Sequence, residues 1–152
     1  MEVLIILAII VADQLTKYLA VTRLKEIGTV EIVKGVFSFT YVENRGAAFG
    51  ILQNYRWFFI ITTTIICIAV IYFLITQSNT SLILRISLSM ILGGAIGNLI
   101  DRIRFGYVVD MLHFTLIDFP VFNLADCFVV MGTILLAYYI LFIADKLEKE
   151  VV

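Results

Sequence analysis

Two aspartates at the edges of long apolar segments carry the chemical interest of this chain. Gly97-Asn98-Leu99-Ile100-Asp101-Arg102 leads on to Val108-Val109-Asp110, and Phe122-Asn123-Leu124-Ala125-Asp126 opens another apolar run. An ionised Asp at the centre of a membrane helix costs about 2.5–3.5 kcal/mol on insertion scales. A carboxylate this close to lipid is therefore paired, solvated in a cavity, or chemically employed. Two that converge could hydrolyse an amide, because close like charges push their pKa values apart and leave one group protonated while the other is ionised. The ionised carboxylate takes a proton from water as it attacks the carbonyl, and the neutral one hydrogen-bonds the carbonyl oxygen.

Other hydrolytic chemistries are poorly provided for. His113 is the single histidine and no HExxH pair exists, which weighs against a zinc peptidase. There is no Gly-x-Ser-x-Gly elbow. A Ser–Lys dyad built on Lys17 stays open, although no motif points to it. Each acid also has a plainer reading from the residues alone. Asn123 could cap a helix with Asp126 at its positive end, and Asp110 could be an ordinary loop acid. Asp101 competes with Asp110, but Arg102 beside it and Asn98 three residues back place it in a structural or substrate-binding cluster.

The remaining polar groups suit substrate binding and support. Asn98 and Arg102 are four apart and share a helix face, from which they could donate to an extended peptide; Asn44 and Asn123 offer amides for the same purpose. Asp13 and Lys17, also four apart, read first as an intrahelical ion pair that could organise the site. Gly46-Ala47-Ala48 is small enough for a peptide or lipid to approach the backbone, and a tight turn explains it equally well. His113 and Cys67 read as packing. Trp57, with Tyr55 and Arg56, reads as an interfacial anchor.

Composition sets the class within which those groups must work. Of 152 residues, 62% are hydrophobic and only 15% are charged, with a mean hydropathy of +1.06. A soluble domain carries about 25% charged residues, so the excess apolar surface has to face lipid. The chain reads as one integral membrane domain, 1–152. A formal net charge of −1 gives no support for nucleic-acid binding. Cys67 and Cys127 form no motif, and a disulfide between them is not expected because Cys67 falls inside an apolar span. The start lacks a basic region and a small-residue cleavage site, so no removable signal peptide is expected.

Four segments approach the ~20 residues that a bilayer core requires. They run from about Val3 to Val21, Trp57 to Thr76, Leu82 to Ile100 and Asn123 to Ile143, and a charged tail follows from Asp145 to Glu150. Gly93 and Gly97 form a small-xxx-small pair that lets another helix backbone approach. The connections are unequal. Gln77-Ser78-Asn79-Thr80-Ser81 is a bare polar turn. Thr22 to Arg56 is long and has β character, with strands predicted over Thr29–Val33 and Val36–Val42 about a Lys34-Gly35 turn. Phe37, Phe39 and Tyr41 alternate with Ser38 and Thr40, which predicts a hairpin on the bilayer with an aromatic face towards lipid or substrate. Arg102 to Phe122 is a second long link. In a bundle of four helices both long links fall on one side, so the functional groups cluster at one face of the membrane. The positive-inside tendency would put that face in the cytoplasm, since it holds Arg23, Lys25, Lys34, Arg45, Arg56, Arg102 and Arg104.

The motif runs, taken together, carry a family resemblance. Asp13-Gln14-Leu15-Thr16-Lys17, Asn44-Arg45-Gly46-Ala47-Ala48-Phe49-Gly50, Gly97-Asn98-Leu99-Ile100-Asp101-Arg102 with Gly106 and Asp110, and Phe122-Asn123-Leu124-Ala125-Asp126 occur in order from the first apolar segment to the last. The set resembles the type II, or lipoprotein, signal peptidases of bacteria. Met111 stands where Phe is common and Cys127 where Ser is common; neither removes a group the chemistry needs. The resemblance implies an all-α, four-helix membrane peptidase with a small extracytoplasmic β-hairpin between its first two helices. It implies Asp110 and Asp126 as the catalytic pair and no cofactor or metal. The substrate would be a lipid-modified prolipoprotein, cut just before its diacylglyceryl cysteine. The resemblance also turns the active site towards the outer leaflet of the bacterial cytoplasmic membrane, with cytoplasmic termini, against the charge count. The expected partners are that substrate and membrane lipids, and the expected state is a monomer. A reading from another class is a small proton-coupled transporter using Asp13, Lys17 and the other acids as a relay.

Overall fold

The computed structural model describes residues 1–46, 51–77, 80–117 and 119–144. Ser78 and Asn79 of the polar turn and the Asp145–Glu150 tail lie outside the described residues. Among the described residues four helices are long and apolar enough to cross a membrane: α1 Glu2–Arg23, α2 Arg56–Thr76, α3 Leu82–Arg104 and α4 Leu124–Phe142. At 1.5 Å per residue each spans roughly the 30 Å of a bilayer core.

α3 runs four residues beyond the predicted Ile100, which puts Asp101 and Arg102 on the helix. Gly106 ends it in a left-handed conformation at φ +84°, with its N–H bonded to the Arg102 carbonyl at 3.2 Å. The Arg56 side chain, at the start of α2, closes the same end by donating to the carbonyls of Arg102 at 2.7 Å and Ile103 at 2.8 Å. A cation at a helix C-terminus is the favourable sign.

The polarity of the bundle is turned outside in. Leu4, Leu15, Ile65, Ile75 and Leu141 are exposed, while Asp13, Lys17, Ser87, Ser89 and Asp101 are buried. In lipid the apolar side chains need no interior, whereas the polar ones do. α3 is the hub and packs against the other three helices. Its Gly93–Gly97 pair faces α1: a Cβ on Gly93 would come within 3.0 Å of Ile9, and one on Gly97 within 2.6 Å of Asp13 Oδ2. The small-xxx-small spacing thus brings α1 close enough to α3 for their polar side chains to meet. At the far end of the bundle Arg85 of α3 and Glu2 of α1 form an ion pair at 2.7 Å. Both cysteines are free.

A three-stranded antiparallel sheet in the order β1-β2-β3 caps the other end. It comprises β1 Thr29–Val33, β2 Phe37–Asn44 and β3 Val108–Phe114. The hairpin stands where the sequence places it. The third strand is an addition, drawn from the second long link. Because β2 pairs with β3, with Val42 opposite Asp110 and Asn44 opposite Val108, both long links lie at the same end. The aromatic face needs correcting. Phe39 and Tyr41 pack against buried Ala20, Val109 and Met111, and the Phe37 ring stands 5.4 Å from that of Phe39 and 5.3 Å from that of Phe114. β3 and the end of α1 supply apolar surface that the hairpin alone would have had to find in lipid.

Candidate active site

The polar side chains meet where the sheet sits on the helix ends, and local structure explains how each is presented. Asn123 caps α4, its Oδ1 accepting from Asp126 N at 2.9 Å while Asp126 Oδ2 accepts from Asn123 N at 3.2 Å. This reciprocal capping box satisfies two otherwise orphaned N–H groups and locks Asp126 at the positive end of the helix. Asp110 points from the middle of β3, and Asn98, Asp101 and Arg102 share the inner face of the last turns of α3.

The deepest layer is ionic. Lys17 lies 2.9 Å from Asp13 and 3.1 Å from Asp101, and all three side chains are at most 4% exposed. The predicted Asp13–Lys17 pair is therefore present, with Asp101 as a second partner across the helix interface. Asp13 also accepts from Ala125 N and Asp101 from Val109 N, each at 3.0 Å, and the Gln14 amide donates to both carboxylates. Buried charges left without such partners would be strongly destabilising.

Above this layer Asn98 acts as a junction. Its Oδ1 accepts from Lys17 at 2.8 Å and from Asn123 at 3.1 Å, and its amide donates to Asp126 Oδ1 at 2.8 Å. Asp110 accepts from Asn123 at 2.6 Å and from Asn44 at 2.9 Å. Asn44 in turn accepts from Gly46 N at 3.0 Å, and Arg102 donates to Gly46 O at 3.2 Å while lying over the Phe59 ring. A side chain on Gly46 would meet Ile51 O at 2.6 Å, so the turn there requires glycine. Ala47 and Ala48 lie outside the described residues.

Asp110 and Asp126 line one cavity of about 1030 Å³, together with Asn44, Asn98 and Arg102. Glu43, Arg45 and Gln53 extend its polar edge, and one wall is apolar, built from residues such as Phe114, Ile117, Phe122, Val130 and Met131. Burial pushes the Asp110 carboxyl up to about 7, the charge of Asp126 adds to the rise, and the amides of Asn44 and Asn123 oppose it. A carboxyl that keeps its proton near neutrality, sharing a cavity with a second carboxylate, is suited to acid–base work on water. The apolar wall suits a ligand with hydrocarbon chains.

Among the described residues, Asp110, Asp126, Asn44, Asn98, Arg102, Asn123, Asp13, Lys17, Gly46 and Asp101, all named from the sequence, gather here. Asn123 is fully buried, and its side chain is engaged within the site. Sequence reasoning missed Gln14, which donates to Asp101 at 3.0 Å and to Gly97 O at 3.2 Å. Its place beside Asp13 within an apolar segment was the available signal. It also missed Phe59 beneath Arg102. Among the described residues no three His, Cys, Asp or Glu side chains form a group that could hold a metal ion.

The chain matches the family model described as signal peptidase (SPase) II over residues 5–142. It is 51% identical over 143 residues to the lipoprotein signal peptidase of Caldanaerobacter subterraneus subsp. tengcongensis, covering 93% of this chain and 97% of that one. It is 46% identical to the lipoprotein signal peptidase of Clostridioides difficile, covering 95% and 97%. Its fold is similar to a bacterial membrane enzyme solved by the in meso method at 2.3 Å resolution, with a TM-score of 0.85, 38% identity, and 92% and 87% of the chains covered.

Proposed function

Since the chain belongs to the signal peptidase II family, a family of multi-pass bacterial membrane proteases, we propose that it cleaves prolipoproteins by an aspartic mechanism centred on Asp110 and Asp126. The relatives' shared name and their coverage of the chain support removal of the signal peptide from lipoprotein precursors. They lend no support to a transporter. The observation that carries the aspartic reading is the presence of both carboxylates in one cavity, held by the same residue, Asn123.

In this mechanism Asp110 holds the proton and hydrogen-bonds the scissile carbonyl oxygen. Asp126, at the positive end of α4, takes a proton from the attacking water. The water oxygen bonds to the carbonyl carbon, the C–N bond breaks, and the amine of the lipid-modified cysteine leaves with the proton that Asp126 carried. Arg102 and Asn44 border the path of the extended peptide, and the apolar wall receives the acyl chains. Each buried CH₂ of such a chain adds about 0.8 kcal/mol of membrane affinity, so a two-chain lipid keeps its peptide in the bilayer and the acids must come to it. Asn98 and Asn123 position the carboxylates, as does Asn44 from the border of that path, since the side-chain amides of all three are already engaged within the site. The chain acts as a single domain and a monomer, with the sheet and cavity towards the outer leaflet and the termini on the cytoplasmic side.

The test is cleavage of a diacylglyceryl-modified precursor peptide by purified protein in detergent. Asp110→Asn and Asp126→Asn should each abolish turnover while the protein stays folded, and the double variant should be barely worse than either, because the pair acts as a unit. If Asp126 were only a helix-terminal acid, its replacement would cost about 1 kcal/mol or less and leave turnover nearly intact. Full turnover by either variant at saturating substrate would bring a Ser–Lys mechanism to the front.

A further inference from the structure

Asp13 and Asp101 each hold the peptide N–H that immediately precedes one of the two cavity aspartates. Asp13 Oδ1 accepts from Ala125 N at 3.0 Å, one residue before Asp126, and Asp101 Oδ2 accepts from Val109 N at 3.0 Å, one residue before Asp110. Lys17 ties the two acceptors together, 2.9 Å from Asp13 Oδ2 and 3.1 Å from Asp101 Oδ2. We propose that Asp13, Lys17 and Asp101 form a caliper that sets the separation of Asp110 and Asp126, which makes them positioning residues for the hydrolytic step. This rests on the reading of Asp110 and Asp126 as the catalytic pair.

Three observations carry it. β3 and the start of α4 belong to different elements, so the spacing of their two aspartates is set by non-covalent contacts. The caliper grips peptide groups rather than side-chain tips, and a shift of the peptide at Val109 or Ala125 moves the next Cα with it. The same lysine also reaches the side chains, through Asn98, which accepts from Lys17 at 2.8 Å and donates to Asp126 at 2.8 Å. Gln14 steadies the far oxygen of Asp101 at 3.0 Å. Stability alone is a weak reason for such a group, because a buried ion network can often be replaced by apolar side chains without loss. A polar caliper in lipid does what an apolar plug could not: it offers directional acceptors to two chosen N–H groups.

The test compares Asn and Ala replacements at both acids, on full-length protein with a lipidated precursor peptide, with kcat and KM expressed per folded molecule. Asn still offers an oxygen to the Val109 or Ala125 N–H, whereas Ala offers none. Asp13→Asn and Asp101→Asn should lower kcat about tenfold, and the Ala variants about a hundredfold, as expected for displacement of a reacting group by an ångström or so. KM should stay within about threefold, because the loss falls on the chemical step. Lys17→Met should resemble the Ala variants. If the trio only paired charge, Asn and Ala would be equally harmful, and the folded fraction would keep the parent's kcat; either result overturns the caliper. Should the Ala variants fail to fold, the Asn variants decide, and an unchanged kcat refutes the proposal. Asp110→Asn serves as the control. If it turns over substrate, the catalytic pair is misassigned; if it is dead while the Asp13 and Asp101 variants match the parent, only the caliper falls.

Discussion

Asn123 donates its side-chain amide to Asp110 Oδ1 at 2.6 Å, from a position at which it also caps the helix that carries Asp126. Helix capping and the arrangement of the acids are thus one structural fact, and the plain reading of Asn123 and Asp126 as a cap does not compete with the catalytic one.

Asn123→Ser separates the two roles. Serine caps as well as asparagine but is too short to reach Asp110, so the helix start should lose less than about 1 kcal/mol. Turnover should fall by about a hundredfold as Asp110 loses a partner that fixes it. Asn123→Ala should lose the same activity and about 1 kcal/mol more of stability. Thermal unfolding in detergent, read beside kcat, distinguishes them; equal stability of the two variants would show that the cap contributes nothing.

The raised Asp110 carboxyl makes two pH statements. If it acts as the acid, activity should decline on the alkaline side with an apparent pKa near 7. The stability effect has a definite sign. The folded state binds the Asp110 proton more tightly than the unfolded state, whose carboxyl titrates near 3.8. Its contribution is therefore full below about 4 and is lost as pH rises towards 7. Relative to Asp110→Asn, the parent should lose stability across that window. In Asp126→Asn the Asp110 pKa should fall but stay above the ordinary range, because burial is the larger cause. Carboxyl ¹³C titration would measure this, and a return to the ordinary value would mean that the neighbouring charge outweighs burial.

Much of this was legible in the sequence, for reasons that also mark where legibility stops. The spans announce themselves by length, and the spacing of Asn123 and Asp126 announces the cap. The Asp13–Lys17 pair follows from helical periodicity, but its second carboxylate, Asp101, comes from another helix and leaves no local trace. β3 escaped because Val108, Val109, Asp110 and Met111 are all buried, so the alternation that marks a half-exposed strand is absent. The expectation that Phe39 and Tyr41 face lipid or substrate followed from that omission, since β3 is part of the surface they cover.

Arg102 should separate binding from chemistry. Its guanidinium lies 4.8 Å from the centre of the Phe59 ring and donates to Gly46 O, at the edge of the cavity. Arg102→Lys keeps the charge but loses the planar fork and the stacking. We expect KM to rise about tenfold with kcat within about threefold. A fall in kcat at unchanged KM would move Arg102 from substrate binding to the chemical step.

The close approach of α1 to α3 gives the last prediction, a ranking of two conservative substitutions. On Gly97 a methyl group would stand 2.6 Å from Asp13 Oδ2, a carboxylate pinned by Lys17. On Gly93 it would meet Ile9 Cβ and Cγ2 at 3.0 Å, a smaller overlap with an uncharged neighbour. Overpacking of this kind costs about 1–3 kcal/mol, and Gly97→Ala should fall at the upper end. Because Asp13 also holds the peptide before Asp126, Gly97→Ala should lower kcat as well, whereas Gly93→Ala should lose stability alone. Unfolding midpoints and kcat per folded molecule, measured for both, check the ranking. Equal kcat in the two variants would mean that α1 can move away from α3 without disturbing the acids.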